Sequence, residues 1–199
     1  MRFIKSTFPV LISLFFVIKT NAQTIDINLL RDFNGPPSHT DTFWRGVSKS
    51  DYVFVIGTPV SMLATGLANH DGELKIKAVE TGGALLLAEG STVILKKLIH
   101  RERPYLAHPE LFYGKSAITD SSFPSGHTSS AFATATSLSL AFPKWYVIAP
   151  SFAYASAVGY SRMYLGVHYP SDVLAGALFG VGSALLGFKL QHLLEKKIH

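Results

Sequence analysis

Two cations that could bind an anion lie close together in the segment 96–104. Lys96 and Arg103 are seven residues apart, so on a continuous helix their side chains would share one face, about two turns apart. Pro104 follows directly and is expected to end or bend that helix. Two positive charges on one face suit a phosphate group, although a basic, solvated helix end would show the same pattern.

A second polar segment reads Ser-Phe-Pro-Ser-Gly-His-Thr over residues 122–128 and opens a predicted helix rich in Ala, Ser and Thr. Ser125 and Gly126 offer a hydroxyl and backbone N–H groups at the start of that helix, where anions bind readily. His127 lies where an imidazole could donate a proton to a leaving oxygen. A plain helix cap beside an incidental histidine is the alternative interpretation.

The third segment, 161–172, carries Arg162, His168, Pro170 and Asp172. Pro170 suits the first turn of the last predicted helix, which places Asp172 in that turn, close to His168. A carboxylate bonded to one ring nitrogen fixes the tautomer and leaves the other nitrogen free to attack. Arg162 adds a forked donor for phosphate oxygens. A structural His–Asp pair at a helix start is the alternative.

Taken together, the three segments resemble the signature of the type 2 phosphatidic acid phosphatase superfamily. That signature reads Lys, six residues, Arg-Pro; then Pro-Ser-Gly-His; then Ser-Arg, five residues, His, three residues, Asp. Every position is matched in order, and the resemblance spans about residues 78–190. Bacterial class A acid phosphatases and vanadium haloperoxidases belong to the same superfamily.

The resemblance implies a role for each matched residue. His168 would attack phosphorus and form a phosphohistidine, while Asp172 would orient and polarise it. His127 would protonate the leaving oxygen and then activate water. The phosphoryl oxygens would be held by Lys96, Arg103, Arg162, Ser125 and the Gly126 amide. No metal and no other cofactor is expected, because fixed cations would take that role.

The composition favours a membrane protein. The chain has 199 residues, of which 48% are apolar and 16% charged, whereas an ordinary soluble domain carries about 25% charged residues. Its length suits a single domain. The absence of cysteine excludes disulfides, thiol catalysis and cysteine-ligated metals.

The N-terminus is typical of a secretory signal peptide over residues 1–22. Arg2 and Lys5 precede an apolar run, 8–18, and Thr20-Asn21-Ala22 supplies a small-residue cleavage site. The alternative is an uncleaved first membrane helix, for which this run is short because spanning takes about 20 residues. We expect a polar surface segment with at most a short helix over 23–51, and the phosphatase-like domain over 52–199.

Apolar blocks predict an all-α bundle of about five core helices, each of about 15–18 residues. The blocks cover 52–69, 78–95, 128–142, 145–160 and 173–189. Gly176 and Gly180 form a GxxxG pair, which suits close helix packing in lipid, or tight packing in a soluble bundle. We favour a membrane-embedded bundle similar to the phosphatase and haloperoxidase fold.

The distribution of lysines predicts an orientation in the membrane. If all five blocks span and 23–51 lies outside, the connections 70–77 and 143–144 and the tail after 189 are cytoplasmic and lysine-bearing, as the positive-inside tendency requires. The three polar segments then face the periplasm or exterior. The sequence therefore predicts an inner-membrane protein with a periplasmic site, with a soluble periplasmic protein as the alternative.

These patterns predict a metal-independent phosphatase acting on a phosphomonoester or diphosphate, with a lipid as the favoured substrate. Candidate substrates are a phosphatidate-like lipid, an isoprenyl diphosphate or a lipopolysaccharide lipid anchor. The alternatives are a soluble non-specific acid phosphatase, a lipid phosphotransferase, a vanadate-dependent haloperoxidase and a non-enzymatic membrane scaffold. No feature indicates a nucleic-acid partner, and none specifies an oligomeric state.

Overall fold

A computed structural model of the chain describes the backbone of residues 23–198. Within that range the regular secondary structure is helical throughout, which confirms the all-α prediction. The helices are α1 (23–33), α2 (Asp41–Ala68), α3 (Gly72–Ile99), α4 (Pro104–Ala107), α5 (Gly126–Ala141), α6 (Trp145–Tyr164) and α7 (Pro170–Ile198). The predicted signal peptide, residues 1–22, lies outside the described residues and stays a prediction.

The five predicted blocks correspond to α2, α3, α5, α6 and α7, but the helices extend beyond their apolar parts. Helix α2 has 28 residues and begins at Asp41, inside the segment that was expected to be a polar surface stretch. Helix α1 occupies another part of that segment. Asp41, Ser48 and Asp51 are buried, because their polar partners lie inside the protein. An apolar block therefore marks only the lipid-facing or core part of each helix.

Helix α3 begins at a side-chain cap and ends earlier than predicted. The Asp71 carboxylate accepts a hydrogen bond from the Leu74 N–H at 3.0 Å, which satisfies one free donor of the first turn. The helix ends at Ile99, since His100 adopts a left-handed conformation with φ of 49°. Pro104 does not end α3 but opens the short helix α4. The expectation that Lys96 and Arg103 share one helix was therefore wrong.

Helix α5 lies in the centre of the bundle and packs against α2, α3, α6 and α7. Its small side chains allow this close approach on every side. Their hydroxyl groups bond within the helix: Thr134 donates to the Ser130 carbonyl at 2.9 Å, and Thr136 donates to the Phe132 carbonyl at 2.7 Å. A helix of Ala, Ser and Thr can thus be buried with most of its hydroxyl groups paired, although the buried Ser129 hydroxyl has no hydrogen-bond partner among the described residues.

The GxxxG pair on α7 packs against α5, as predicted. A Cβ on Gly176 would lie 2.5 Å from the Ser125 carbonyl oxygen, and one on Gly180 would lie 2.2 Å from that of Ser129. Only glycine permits this approach. The contact continues at the start of α7, where the Ser125 N–H donates to the Asp172 carbonyl at 3.0 Å. The glycines thereby bring the second and third polar segments together.

Three helical stretches are long and apolar enough to cross a membrane within the described range: α2, Gly72–Ala107 and Pro170–Gln191. Large apolar side chains on them point outward, with Leu86 77% and Leu178 66% exposed. Five spans were predicted, but α5 has 16 residues and would extend only about 24 Å against a hydrocarbon core of about 30 Å. The exposed apolar helices indicate a membrane protein.

Candidate active site

A cavity of about 560 Å³ lies where α3 ends and α5 begins. It is bordered by α2, by the connections on either side of α4, and by the connection between α6 and α7. Six predicted site residues line it: Lys96, Arg103, Gly126, His127, Arg162 and His168. The fold therefore brings residues from all three polar segments together in one site.

His168 is buried just before α7, with only 1% of its surface exposed. Its Nε2 lies 3.2 Å from Nη1 of Arg103. A guanidinium only donates hydrogen bonds, so Nε2 is the acceptor and the ring proton belongs on Nδ1. Burial and the positive charges of Arg162 and Arg103 hold the pKa of His168 well below its ordinary value. The imidazole is therefore neutral, with its Nε2 lone pair on the cavity side.

Asp172 lies in the first turn of α7 and is fully buried. Its Oδ2 accepts a hydrogen bond from the Tyr169 N–H at 2.9 Å and lies 3.6 Å from Nδ1 of His168. The predicted proximity is confirmed, but this separation exceeds a hydrogen bond. Among the described residues Nδ1 has no hydrogen-bond partner. Asp172 thus acts on His168 here as a nearby charge.

Lys96 and Arg103 meet in the cavity although Arg103 lies beyond the end of α3. Lys96 Nζ lies 3.0 Å from Asp120 Oδ2, and Arg103 Nη2 lies 2.5 Å from Asp120 Oδ1. Partial burial raises the pKa of Asp120, but hydrogen bonds from Lys96 and Arg103 outweigh it and hold that pKa below its ordinary value. An ionised carboxylate therefore lies against two of the predicted phosphate-binding cations.

Arg162 lies in the last turn of α6 and is buried. Its Nη1 donates to the Ser48 hydroxyl, and its Nε has no hydrogen-bond partner within residues 23–198. Asp51, one turn from Ser48 on α2, lines the cavity and accepts a hydrogen bond from Ser130 at 3.2 Å. The sequence did not single out these α2 residues, because they fall in the segment predicted to lie at the surface.

Residues at the start of α5 lie partly in the cavity and partly in the protein core. Gly126 and His127 line the cavity. Ser125 is fully buried, its hydroxyl lies 2.9 Å from that of Thr128, and it is not among the residues that line the cavity, so its contact with phosphate stays a prediction. Burial and the charge of Arg162 lower the pKa of His127 to about 3, which makes it neutral in this state.

Part of the cavity lining is apolar. It is formed by Val55 and Ile56 of α2, Val93 of α3, and Ile118. Ile56 is 60% and Val93 47% exposed on the outside of the bundle. The polar site is thus continuous with an apolar surface between α2 and α3.

Comparison with known families identifies the chain. A family profile described as the PAP2 superfamily matches residues 77–196, which is more than half of the chain. The chain belongs to the PAP2 superfamily. The matched region contains all three polar segments, so the resemblance seen in the sequence is confirmed.

Several curated relatives are named as phosphatases of lipids. The chain is 35% identical over 108 residues to the undecaprenyl-diphosphatase of Sulfolobus acidocaldarius, covering 54% of this chain and 50% of that protein. It is 39% identical over 99 residues to the lipid A 1-phosphatase of Rhizobium johnstonii, covering 47% of this chain and 39% of that protein. The chain thus spans about half the length, or less, of these relatives.

Solved structures share the fold. Aquifex aeolicus LpxE superposes with a TM-score of 0.69 at 29% identity, covering 81% of this chain and 93% of that one. A transmembrane PAP2 type phosphatidylglycerolphosphate phosphatase from Bacillus subtilis superposes with a TM-score of 0.66 at 24% identity, covering 92% and 96%. The all-α PAP2 architecture therefore extends over most of the chain.

Proposed function

We propose that this chain is a metal-independent phosphatase that releases phosphate from a lipid phosphomonoester or diphosphate through a phosphohistidine on His168. The observation that carries the proposal is the position of His168. Its unprotonated Nε2 is on the cavity side beside Arg103, and the Asp172 carboxylate lies 3.6 Å from its other ring nitrogen. This arrangement, a neutral histidine beside a buried carboxylate, is the one that a histidine nucleophile requires.

In the first step, Nε2 of His168 forms a bond to phosphorus and the bond from phosphorus to the leaving oxygen breaks. His127 gives its proton to that oxygen. The low pKa of His127 in this state is compatible with this role, because the negative charge of a bound phosphate offsets the neighbouring cations. Lys96, Arg103 and Arg162 stabilise the charge on the phosphoryl oxygens, and the buried Nε of Arg162 gains an acceptor.

In the second step, water attacks phosphorus, the P–N bond breaks and His127 takes the proton of the water. The imidazolium character of phosphohistidine is balanced by Asp172, which is fully buried close to Nδ1. The products are inorganic phosphate and the free alcohol or lipid monophosphate. An alcohol replacing water would make the same site a phosphotransferase.

A lipid substrate is supported by the apolar part of the cavity lining and by the exposed apolar helices around it. The hydrocarbon chain of such a substrate would lie along these apolar side chains while its phosphate meets the cations. The relatives named for undecaprenyl diphosphate and lipid A agree with this class. The lysine distribution supports a periplasmic orientation of the site, with residues 1–22 as its secretion signal.

Phosphate release by the detergent-purified chain tests this proposal. Wild type is compared with His168→Asn, which removes the nucleophile and keeps a polar side chain in a buried position, and with His39→Ala, which changes an exposed histidine outside the cavity. The substrates are phosphatidate, an isoprenyl diphosphate and p-nitrophenyl phosphate, all with EDTA present.

We expect release by wild type and His39→Ala and none by His168→Asn. Acid-labile, base-stable phosphate on wild type after rapid quenching would support the phosphohistidine. Equal rates for wild type and His168→Asn would contradict the mechanism, and loss of activity with EDTA would contradict its independence of metal. Preference for p-nitrophenyl phosphate over both lipids would favour a non-specific acid phosphatase, and transfer to added alcohol would favour a phosphotransferase.

A further inference from the structure

Arg101 lies between α3 and α4, and its side chain is outside the set of residues that lines the cavity. Its Nη1 donates to Asp172 Oδ1 at 2.6 Å and to the Ser171 hydroxyl at 2.7 Å. The ion pair is largely buried, with 21% of the Arg101 side chain and none of the Asp172 side chain exposed. Arg101 therefore holds the carboxylate oxygen that does not face His168.

A second carboxylate holds the other end of the same guanidinium. Arg101 Nη2 donates to Asp26 Oδ2 at 2.7 Å. Asp26 Oδ1 accepts the Ser171 N–H at 2.9 Å, which satisfies a free backbone donor in the first turn of α7. The guanidinium also lies 4.0 Å from the centre of the Tyr169 ring. Arg101 is thus fixed on three sides, and rotation away from Asp172 would break several contacts.

Asp26 belongs to α1, which precedes the region that the family profile matches. The helix is attached to the site by burial as well as by charge. Leu30 is fully buried and packs with Phe112 and Tyr169, while Asp26 itself is 6% exposed. The first described helix is therefore docked behind the nucleophile rather than free at the surface.

Removing Arg101 would leave the buried Asp172 carboxylate without its counter-charge. A buried charge that loses its partner is strongly destabilised, so the carboxylate would turn toward other donors or take up a proton. In either state it would no longer be held 3.6 Å from His168 Nδ1 as a charged group. The orientation of His168 and the stability of its phosphorylated form would both suffer.

We propose that Arg101 is a positioning residue for the nucleophile: it fixes Asp172 behind His168, and Asp26 of α1 fixes Arg101 in turn. These three side chains, Asp26, Arg101 and Asp172, are named the rear cluster. The proposal rests on the proposed phosphatase function. It adds to that function two residues outside the phosphate site and makes α1 part of the catalytic apparatus.

Steady-state kinetics of Arg101→Ala, Arg101→Lys and Asp26→Asn test the proposal in the full chain. For Arg101→Ala we expect kcat to fall roughly 10- to 100-fold, by analogy with the loss of outer partners that orient metal-binding histidines. KM should change little because Arg101 does not touch the cavity. Arg101→Lys should recover part of kcat, and Asp26→Asn should lose less than Arg101→Ala.

Two matched controls accompany these variants. Lys97→Ala removes an exposed cation from the same end of α3, and Asp32→Asn removes an exposed carboxylate from α1. Both should retain the wild-type kcat. If either control loses as much as its counterpart, the effect comes from charge or helix stability in general, which would overturn the proposal.

A double-mutant cycle with Asp172→Asn separates positioning from a merely structural role. If Arg101 acts through Asp172, then Arg101→Ala costs no further kcat once Asp172 is Asn, whereas independent effects multiply. If the kcat losses of Arg101→Ala and Asp172→Asn multiply in the double variant, the proposal is overturned. If Arg101→Ala fails to fold, the same cycle is read with Arg101→Lys or Asp26→Asn.

The outcomes also separate this proposal from the proposed function. No phosphate release by wild type on any substrate contradicts the function itself. Release by wild type with an unchanged kcat in Arg101→Ala contradicts only the positioning role. A raised KM with an unchanged kcat in Arg101→Ala would place Arg101 in substrate binding and would likewise overturn it.

Discussion

Two groups of charged side chains lie on either side of His168, and their carboxylates differ in exposure. The cavity cluster consists of Lys96, Arg103 and Asp120, and 57% of the Asp120 side chain is exposed. In the rear cluster the side chains of Asp26 and Asp172 are 9% and 0% exposed. One carboxylate thus lies where water and substrate can reach it, and the other two are enclosed.

The difference in exposure implies that a bound phosphate can replace the Asp120 carboxylate, whereas the carboxylates of the rear cluster stay in place. The Asp120 carboxylate binds two of the cations that we propose for phosphate, and because its side chain is largely exposed we expect a bound phosphate to displace it into solvent. The rear carboxylates have no such exit, because a buried charge without its partner is costly. We therefore expect the cavity cluster to govern affinity for phosphate and the rear cluster to govern the rate of attack.

The largest effect that sharpens this comparison is expected from His127→Ala. Loss of the general acid should reduce kcat roughly 10²- to 10⁴-fold for an alkyl phosphate, whose leaving oxygen needs a proton. The loss should be much smaller for p-nitrophenyl phosphate, whose leaving group departs as an anion. The rear variant Arg101→Ala should instead lose similarly on both substrates, since it acts on the nucleophile. Equal losses on both substrates for His127→Ala would count against its role as the acid.

The sequence analysis named more of the residues on the cavity side of His168 than of those on its rear side. The family signature put Lys96, Arg103, His127, Arg162 and His168 into one predicted site, and all five line the cavity. Arg101 and Asp26 are 75 residues apart in the chain, and no local pattern relates them. Asp120 lies just ahead of a matched segment but becomes significant only when the connection folds back onto Lys96.

Helix type was predictable for a similar reason, whereas helix ends were not. Apolar blocks mark where α2 and α3 face lipid or core. The polar start of α2 is buried because Asp41 accepts a hydrogen bond from Lys115 Nζ at 2.9 Å, and this partner lies far along the chain. The end of α3 depends on the left-handed backbone conformation of His100. Pro104, from which the helix end was predicted, lies four residues further on and starts α4.

A smaller effect is expected from Asp120→Asn, which removes the competing carboxylate and keeps the side chain's size. KM for substrate and the inhibition constant of inorganic phosphate should fall about two- to fivefold, the range expected for a partly exposed ion pair. The value of kcat should stay near that of wild type. Glu110→Gln, which removes an exposed negative charge from the same connection, should change neither constant. A rise in KM for Asp120→Asn would show that Asp120 organises the cations instead of competing for them.

The pKa of His168 shows which of the two clusters has the stronger effect on the charge of the nucleophile. Burial and the positive charges of Arg162 and Arg103 disfavour the imidazolium and lower the pKa of His168, whereas a carboxylate as near as that of Asp172 favours the charged ring. A lowered pKa keeps the imidazole neutral and nucleophilic as the pH falls below about 6.5, the ordinary histidine value.

A pH titration of ¹⁵N-histidine-labelled protein by NMR measures this pKa, with the His168 signals assigned by comparison with His168→Asn. The His168 resonances should stay those of the neutral ring as the pH passes through the ordinary value. Sulfate, a dianion bound by the same cations, should move the titration to higher pH. A midpoint at or above the ordinary value without sulfate would mean that the rear carboxylate outweighs the cavity cations, and the nucleophile would then need a higher pH to become active.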